Sequence, residues 1–203
     1  KCMQAIKTVG VVGAGQMGAG IAQVCATAGF EVAVVDQQDS QLQRARDEIC
    51  TSLKKLNQKE KLTNEQVVRA NSLLTFSNDL HALHACDLII EAIIEDESAK
   101  KGLLRKLDAL VGEACILASN TSSIPITRLG ASTGRPNKVV GMHFMNPVPL
   151  MTLVEVTRGL ATSDETLTRV CDFSKRLGKQ TVLSRDLPGF IVNRILMPMI
   201  NEA

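Results

Sequence analysis

The chain has 203 residues and a formal net charge of +2; 45% of its residues are hydrophobic and 22% are charged. This composition is typical of a globular domain with a sizeable core, and the small net charge argues against a nucleic-acid or membrane-surface partner. Only 2% of the residues are aromatic, which argues against a base-stacking platform, and no apolar run is long enough to cross a bilayer.

Strand and helix patterns alternate along most of the chain. Predicted strands cover Thr8–Val12, Glu31–Val35 and residues 73–76, 87–92, 115–118, 138–142, 153–156 and 181–183. Predicted helices cover residues 16–29, 39–59, 98–111 and 163–177, with shorter ones after Thr63 and after the polar loop at 119–123. This order predicts an α/β fold with a doubly wound, mostly parallel sheet that helices cover on both faces.

Three helix starts carry a capping signal. Asp39 or Ser40 is expected to cap the long second helix. Ser163 is expected to cap the helix that begins directly after it. Thr63 followed by Gln66 has the spacing of a capping box, which predicts a new helix at that point.

The Asp-Leu-Pro-Gly segment at 186–189 interrupts the pattern and marks the one candidate domain boundary. Residues 1–186 are expected to form one domain. Residues 187–203 are expected to begin a second, helical domain, because the helix predicted from Phe190 has apolar residues on nearly all sides and must be buried against something. The sequence therefore looks as if it is cut off inside that second domain.

A G-x-G-x-x-G motif follows the first predicted strand at Gly13, Gly15 and Gly18. Its glycines suit a tight turn, a close approach of backbone to a pyrophosphate, and close packing of the next helix, whose N-terminus favours phosphate. Asp36 ends the second strand about twenty residues further on, where a carboxylate accepts from ribose hydroxyls and repels a 2′-phosphate. The motif predicts a dinucleotide site that prefers NAD to NADP; the alternative for Asp36 is a capping role in a loop.

Polar residues also follow the other parallel strands, where open α/β sheets bind their ligands. Glu95 follows the fourth predicted strand, Asn120 and Ser122 follow the fifth, and His143 and Asn146 follow the sixth. We expect these side chains to gather at one edge of the sheet.

His143 is the candidate general base. An imidazole titrates near neutral pH and can take the hydroxyl proton when an alcohol is oxidised by hydride loss. Glu155, which apolar residues flank in the next strand, would orient the ring and stabilise the imidazolium. The alternatives are a hydrogen-bonded structural histidine and a surface carboxylate on an edge strand.

Two further groups are not expected to form sites. His81 and His84 lie three residues apart in a polar segment without a fourth ligand, so we expect a solvated helix and no metal site. The cysteines are scattered without a CxxC pair, which favours free thiols in a reducing compartment. They are Cys2, Cys25, Cys50, Cys86, Cys115 and Cys171.

Five motifs together resemble the L-3-hydroxyacyl-CoA dehydrogenase family, the NAD-dependent enzymes of fatty-acid β-oxidation. In chain order they are VVGAGQMGAGIAQV, DLIIEAIIED, SNTSS, GMHFMNPVPLMTLVEV and DLPGFIVNR. The resemblance implies a Rossmann-type NAD-binding domain followed by the first helix of an all-α domain, the rest of which is missing after Ala203. In the family that domain makes the homodimer and closes over the acyl group.

Carried over by motif position, the resemblance implies that His143 is the general base, that Glu155 is its partner, and that Ser122 and Asn193 hydrogen-bond the reacting oxygens. Ser52 and Lys59, by a looser match, would contact the CoA portion. The cofactor contacts that follow from the motifs and the strand ends are Gly13, Ala14, Gly15, Gln16, Met17, Gly18, Asp36, Glu95, Lys100, Asn120, Ser122 and Asn146.

The implied reaction is the reversible NAD-dependent oxidation of an L-3-hydroxyacyl-CoA to the 3-oxoacyl-CoA. The expected partner is acyl-CoA, with no nucleic acid and no membrane. The expected location is the mitochondrial matrix in a eukaryote, with a transit peptide absent or removed, and the cytoplasm otherwise. The alternatives are a dehydrogenase of a free hydroxy or sugar acid and a non-catalytic, crystallin-like NAD-binding protein.

Overall fold

The computed structural model describes residues 5–202, so that Cys2 and Ala203 lie outside the described residues. The strands are β1 (Thr8–Val12), β2 (Glu31–Val35), β3 (Leu74–Ser77), β4 (Leu88–Glu91), β5 (Ile116–Ser119), β6 (Val139–Phe144), β7 (Leu153–Arg158) and β8 (Gln180–Arg185). The helices are α1 (Gln16–Thr27), α2 (Asp39–Gln58), α3 (Asn64–Ser72), α4 (Glu97–Leu110), α5 (Ile126–Gly130), α6 (Asp164–Arg176) and α7 (Val192–Asn201).

The strands form one sheet in the order β3-β2-β1-β4-β5-β6-β7-β8. All neighbouring pairs are parallel except β6 and β7, which are antiparallel. The chain moves outward from β1 in both directions, so a crevice opens at the carboxyl ends of β1 and β4. This architecture confirms the predicted doubly wound, mostly parallel fold and gathers the ends of β1, β4, β5 and β6 at one edge.

The central strands of the sheet are buried on both faces, whereas the edge strands β3 and β8 are partly exposed. All four residues of β4 and all four of β5 are buried, as continuous apolar strands in a covered sheet should be. Ile21 of α1 and Ile49 of α2 belong to the core on one face, and Leu104 and Leu107 of α4 belong to the core on the other. The central strands are therefore held between two packed layers of helices.

The capping predictions are confirmed at two helices and wrong at one. Thr63 and Gln66 form both hydrogen bonds of a capping box, and the Ser163 side chain accepts from the Thr166 backbone. The long helix α2 has Gln38 at its cap position and no side-chain cap, so neither Asp39 nor Ser40 caps it.

The reason is that the turn into α2 begins earlier than its polar sequence suggests. Asp36 accepts a hydrogen bond from the backbone N–H of Gln38 at 3.0 Å, which bends the chain there. Asp39 then lies in the first turn of the helix, where a carboxylate is favoured by the helix dipole and accepts from Asn78 at 3.0 Å.

The last helix begins later than the apolar pattern predicts. Gly189 and Phe190 have φ values of +74° and +48°, which are not helical, and α7 begins at Val192. Phe190 is only 3% exposed and packs into the core. No residue of α7 is buried, and its exposed apolar side chains are Ile195, Leu196, Met197, Met199 and Ile200.

Across residues 5–202, none of the helices has the length and apolar character needed to span a bilayer.

Candidate active site

The glycine-rich loop between β1 and α1 leaves room for a ligand at one position. Gly13 has φ +101°, and a Cβ there would lie 2.6 Å from the carbonyl oxygen of Ala92. A Cβ on Gly18 would lie 1.7 Å from the carbonyl oxygen of Gly13. A Cβ on Gly15 would meet nothing within 4 Å, and no side chain of the described residues caps α1 there. The first amides of α1 are therefore available to a phosphate.

A cleft of about 880 Å³ opens beside this loop. The carboxylate of Asp36 accepts from the backbone N–H groups of Ala14 at 2.8 Å and Gln38 at 3.0 Å, so it also fixes the loop. Ala14 and Gly18, both assigned to the cofactor by motif, are buried behind the loop and shape it. The predicted residues on the cleft wall are Gly13, Gly15, Gln16, Met17 and Asp36.

His143 lies near the carboxyl end of β6, directly opposite Glu155 of β7. Its Nδ1 is 2.7 Å from Oε2 of Glu155, whose side chain is 1% exposed. Because a carboxylate can only accept, the imidazole donates from Nδ1 and keeps the lone pair of Nε2 free. β8 pairs with the other side of β7, so Glu155 is not an exposed carboxylate on an edge strand.

The second oxygen of Glu155 is occupied as well. Its Oε1 accepts hydrogen bonds from the backbone N–H groups of Ile191 and Val192, each at 2.9 Å. These amides lie at the start of α7, where a helix leaves its first N–H groups unpaired. The buried carboxylate is therefore hydrogen-bonded at both oxygens and cannot rotate without breaking bonds on one side.

Glu95 holds the loop that carries Ser122. Its Oε1 accepts hydrogen bonds from the hydroxyl of Thr121, from the backbone N–H of Ser122 at 3.0 Å and from the hydroxyl of Ser123 at 3.1 Å. Burial alone would raise the pKa of Glu95. The hydrogen bonds from Thr121 and Ser122 and the ammonium of Lys100 outweigh that effect and hold the pKa of Glu95 below its usual value.

The loop after β5 also contacts α7 and β6. Asn193, in the first turn of α7, donates to the carbonyl oxygen of Ser122 at 3.3 Å, so the two residues assigned to the reacting oxygens are adjacent. Asn120 accepts from the backbone N–H of Phe144 at 2.9 Å, next to His143. The fold thus brings Ser122, Asn193, Asn120 and His143 together at the ends of β5 and β6.

Lys100 is buried rather than open to the cleft. Its side chain is 1% exposed, and its Nζ lies 2.6 Å from Oε1 of Glu91 and 3.3 Å from Oε2 of Glu95. The other oxygen of Glu91 accepts from the Ser119 hydroxyl at 2.6 Å. Lys100 is predicted to contact the cofactor. In the structure its ammonium group is instead enclosed between the carboxylates of Glu91 and Glu95.

Glu91 is the site residue that sequence reasoning missed. Its side chain is fully buried at the end of an otherwise apolar strand. A carboxylate at such a position needs a buried cation or several hydrogen-bond donors. An acidic residue at the end of an apolar strand was therefore the sequence signal that could have identified Glu91.

A second cavity, of about 320 Å³, lies between α1, α2 and the loop after β6. Ser52 and Lys59, both assigned to CoA, lie on its wall together. Asn146, predicted near the nicotinamide, lines this cavity instead of the larger cleft. Gln16 lines both, so the two cavities adjoin.

The remaining candidates lie apart from the site. His81 and His84 are exposed and lie at the short 3₁₀ helix Leu80–Leu83. Within residues 5–202 no group of three potential metal ligands occurs. The described cysteines are free thiols, as predicted: Cys25, Cys50, Cys86, Cys115 and Cys171.

Residues 8–187 match the family model described as 3-hydroxyacyl-CoA dehydrogenase, NAD binding domain. The chain belongs to the 3-hydroxyacyl-CoA dehydrogenase family. Its cofactor is NAD, in agreement with the open position at Gly15 and the carboxylate of Asp36 at the cleft wall.

The chain is similar to several named 3-hydroxyacyl-CoA dehydrogenases, some of which have solved structures. A probable 3-hydroxybutyryl-CoA dehydrogenase of Deinococcus radiodurans is 53% identical over 196 residues, covering 96% of this chain and 69% of that protein. The mitochondrial hydroxyacyl-coenzyme A dehydrogenase of Sus scrofa is 45% identical over 204 residues, covering 98% of this chain and 65% of that protein. The crystal structure of (S)-3-hydroxybutyryl-CoA dehydrogenase from Ralstonia eutropha aligns with a TM-score of 0.95 at 49% identity, covering 98% of this chain and 70% of that one.

Asp186 has a structural role in this dehydrogenase. Its position in the Asp-Leu-Pro-Gly segment, which the sequence marks only as an interruption of the strand and helix pattern, did not indicate this role. Its two carboxylate oxygens accept from the backbone N–H groups of Ile126 and Thr127, each at 2.7 Å. It thereby caps α5 from sixty residues away. The segment after β8 is thus fastened to the start of α5.

Proposed function

We propose that the protein catalyses the reversible NAD-dependent oxidation of an L-3-hydroxyacyl-CoA to the 3-oxoacyl-CoA, as in fatty-acid β-oxidation, with His143 as general base. The observation that carries the proposal is the pair formed by the partly exposed His143 and the buried Glu155, 2.7 Å apart at the sheet edge that bears the glycine-rich loop. The relatives named 3-hydroxybutyryl-CoA dehydrogenase support an acyl-CoA substrate.

The proton is handled by His143. Its free Nε2 takes the proton of the 3-hydroxyl group, while Nδ1–H remains bound to Glu155 and the carboxylate stabilises the imidazolium that forms. NAD, when bound, supplies the nicotinamide C4 that accepts the hydride from C3 of the substrate. In the reverse direction the imidazolium returns the proton to the oxygen of the 3-oxo group.

Ser122 and Asn193 orient the reacting oxygen. Both side chains are half-buried, and the loop that carries Ser122 is fixed by Glu95 on one side and by Asn193 on the other. A donor held in this way needs little reorganisation when charge develops on the substrate oxygen. In this proposal their hydrogen bonds strengthen as the alcohol loses its proton.

The smaller cavity receives the CoA portion. Lys55 of α2 and Lys59, which directly follows α2, are exposed and line this cavity together with Ser52 and Ile49. Ammonium groups on one wall attract the anionic phosphates of a CoA thioester, whereas a free hydroxy acid has no such group to place there. This cavity supports a CoA ester over the free acid.

We further propose that residues 187–203 begin a second, helical domain, as the family resemblance implies. α7 supports this division because none of its residues is buried and its apolar side chains lie on the surface. Dimerisation through that domain, and a location in the mitochondrial matrix or the cytoplasm, belong to the same proposal.

An assay with two substrates tests the proposed function. We expect the full chain to oxidise NADH with acetoacetyl-CoA at a kcat/KM far above that with free acetoacetate. A higher kcat/KM with free acetoacetate would favour a dehydrogenase of free acids. Tight NADH binding without turnover of either substrate would favour a non-catalytic protein.

A further inference from the structure

Lys179 is a buried lysine outside the proposed catalytic group. It follows Gly178 in the turn between α6 and β8 and is 8% exposed. Its Nζ donates to the carbonyl oxygens of Val148 and Met151, each at 2.6 Å. Burial lowers the pKa of this ammonium, and the neighbouring Cys25 acts in the opposite direction.

Both carbonyl groups belong to the loop at 145–152, which connects β6 to β7 without regular secondary structure. Within the loop, the backbone N–H groups of Leu150 and Met151 donate to the carbonyl oxygen of Pro147, each at 3.0 Å. Val148 is 2% exposed and packs so closely on α1 that a Cβ on Gly20 would lie 2.9 Å from the Val148 Cβ. The loop is therefore anchored at one point to α1 and at two carbonyls to Lys179.

This loop forms one wall of the 320 Å³ cavity. Its residues 146–150 line the cavity together with Ser52 of α2 and Lys59, which directly follows α2. Lys179 does not line the cavity, but it holds the backbone that does. The width of the cavity thus depends on an ammonium group behind its wall.

We infer that Lys179 is a positioning residue for the acyl-CoA, because it fixes the 145–152 loop as the wall of the cavity that receives the CoA thioester. This inference rests on the proposed function. The 880 Å³ cleft is lined by other elements, so the effect of Lys179 falls on the acyl-CoA rather than on NAD.

An apolar side chain at position 179 would leave the buried carbonyl oxygen of Val148 and the partly buried carbonyl oxygen of Met151 without this donor. Buried carbonyls without donors are strongly disfavoured, so the loop would move until water reached them. A displacement of that kind changes the cavity wall and leaves β1, β4 and the glycine-rich loop in place.

The test compares K179M with K179R and with K175M. Lys175 is a matched control because it lies on α6 with a 69% exposed side chain and pairs only with Asp172 among its described neighbours. In the full chain, we expect K179M to raise the KM for acetoacetyl-CoA by about tenfold to a hundredfold, while kcat and the Kd for NADH stay near the wild-type values. K179R retains donors for both carbonyls and should recover part of the loss, and K175M should behave as wild type.

Hydrogen exchange gives a second measurement that needs no turnover. We expect faster exchange at Leu150 and Met151 in K179M, but not in K175M. An unchanged KM in K179M, or a parallel loss of kcat, NADH affinity and thermal stability in both K179M and K179R, would overturn the inference. Absence of turnover in the wild-type chain would instead overturn the proposed function.

Discussion

His143 and Glu155 face each other across the antiparallel pair β6–β7, and the other oxygen of Glu155 binds the amides of Ile191 and Val192. One carboxylate therefore orients the imidazole and fastens the first residues of α7 to the sheet. The position of the candidate base is tied to the start of the segment that follows the NAD-binding domain. Substitutions of Glu155 should for this reason affect both chemistry and stability, by separable routes.

E155Q and E155A should separate these two routes. In E155Q the amide oxygen can still accept from Ile191 and Val192, but its NH₂ group would face His143 and force Nδ1 to accept. The ring would then carry its proton on Nε2, and we expect kcat to fall by a factor of about 10² to 10⁴. E155A should lose kcat similarly and should also lower the free energy of unfolding by about 1–3 kcal/mol, because two amides lose their acceptor.

Steady-state kinetics and urea denaturation measure both effects. Wild-type kcat in E155Q would contradict the orienting role of Glu155. Equal stability of E155A and E155Q would contradict its role in holding α7.

The glycine-rich loop offers a matched pair of alanine substitutions. G15A adds a methyl group where no protein atom lies within 4 Å, so we expect wild-type stability and a Kd for NADH raised by about tenfold or more, through a clash with the pyrophosphate. G18A places a methyl group 1.7 Å from the Gly13 carbonyl oxygen and should destabilise the fold by about 3 kcal/mol or more. G112A, where a Cβ also meets nothing within 4 Å, is the control for both.

Thermal melting and NADH fluorescence titration distinguish these variants. NADH binding at wild-type affinity in G15A would show that the pyrophosphate does not approach this residue.

Asp36 should set the preference between the two nicotinamide cofactors. In D36N the amide oxygen can still accept from the Ala14 N–H, but the negative charge that repels a 2′-phosphate is lost. We expect the Kd for NADH to rise by about tenfold and the Kd for NADPH to change much less. The preference for NADH over NADPH should therefore become smaller. Fluorescence titration with both cofactors measures the ratio, and an unchanged or wider preference in D36N would contradict this role.

Two buried thiols should make the fold less stable in alkaline solution. Burial raises the pKa of Cys86 to about 11, with a contribution from Asp87, and that of Cys115 to about 12, with a contribution from Cys86. Their usual value is 9.0, so the unfolded chain releases these protons first as the pH rises. The contribution of the thiols to stability is therefore complete below pH 9 and is lost as the pH rises toward 11 and 12.

Urea denaturation at pH 8 and pH 10 measures how the free energy of unfolding changes with pH. The free energy of unfolding of the wild type should fall by about 2.6 kcal/mol more over this interval than that of the C86A/C115A double variant. The same pH dependence in both proteins would show that these thiols titrate alike in the folded and unfolded states.

Much of the fold and the candidate pair could be predicted because the relevant signals are local. The glycine spacing, the apolar strands and the carboxylate of Glu155 between apolar neighbours are all visible within short windows. His143 and Glu155 are twelve residues apart on consecutive strands, so their register follows from one connection between them.

The features that were missed depend on partners in other elements of the fold. Asp186 caps α5 from sixty residues away, and Glu91 is paired with Lys100 and with Ser119 of the next strand. Lys179 has the sequence context of an ordinary turn after a helix, and only the path of the 145–152 loop explains its burial. Pattern reasoning identifies such residues as polar but not which backbone or side-chain groups they meet.

The most direct test of the proposed function is the turnover of H143Q with NADH and acetoacetyl-CoA, with the exposed His84 as the matched control in H84Q. We expect H143Q to lower kcat by a factor of about 10² to 10⁴ with the Kd for NADH unchanged, and H84Q to keep wild-type kinetics. Near-normal turnover in H143Q would contradict the assignment of His143 as the general base.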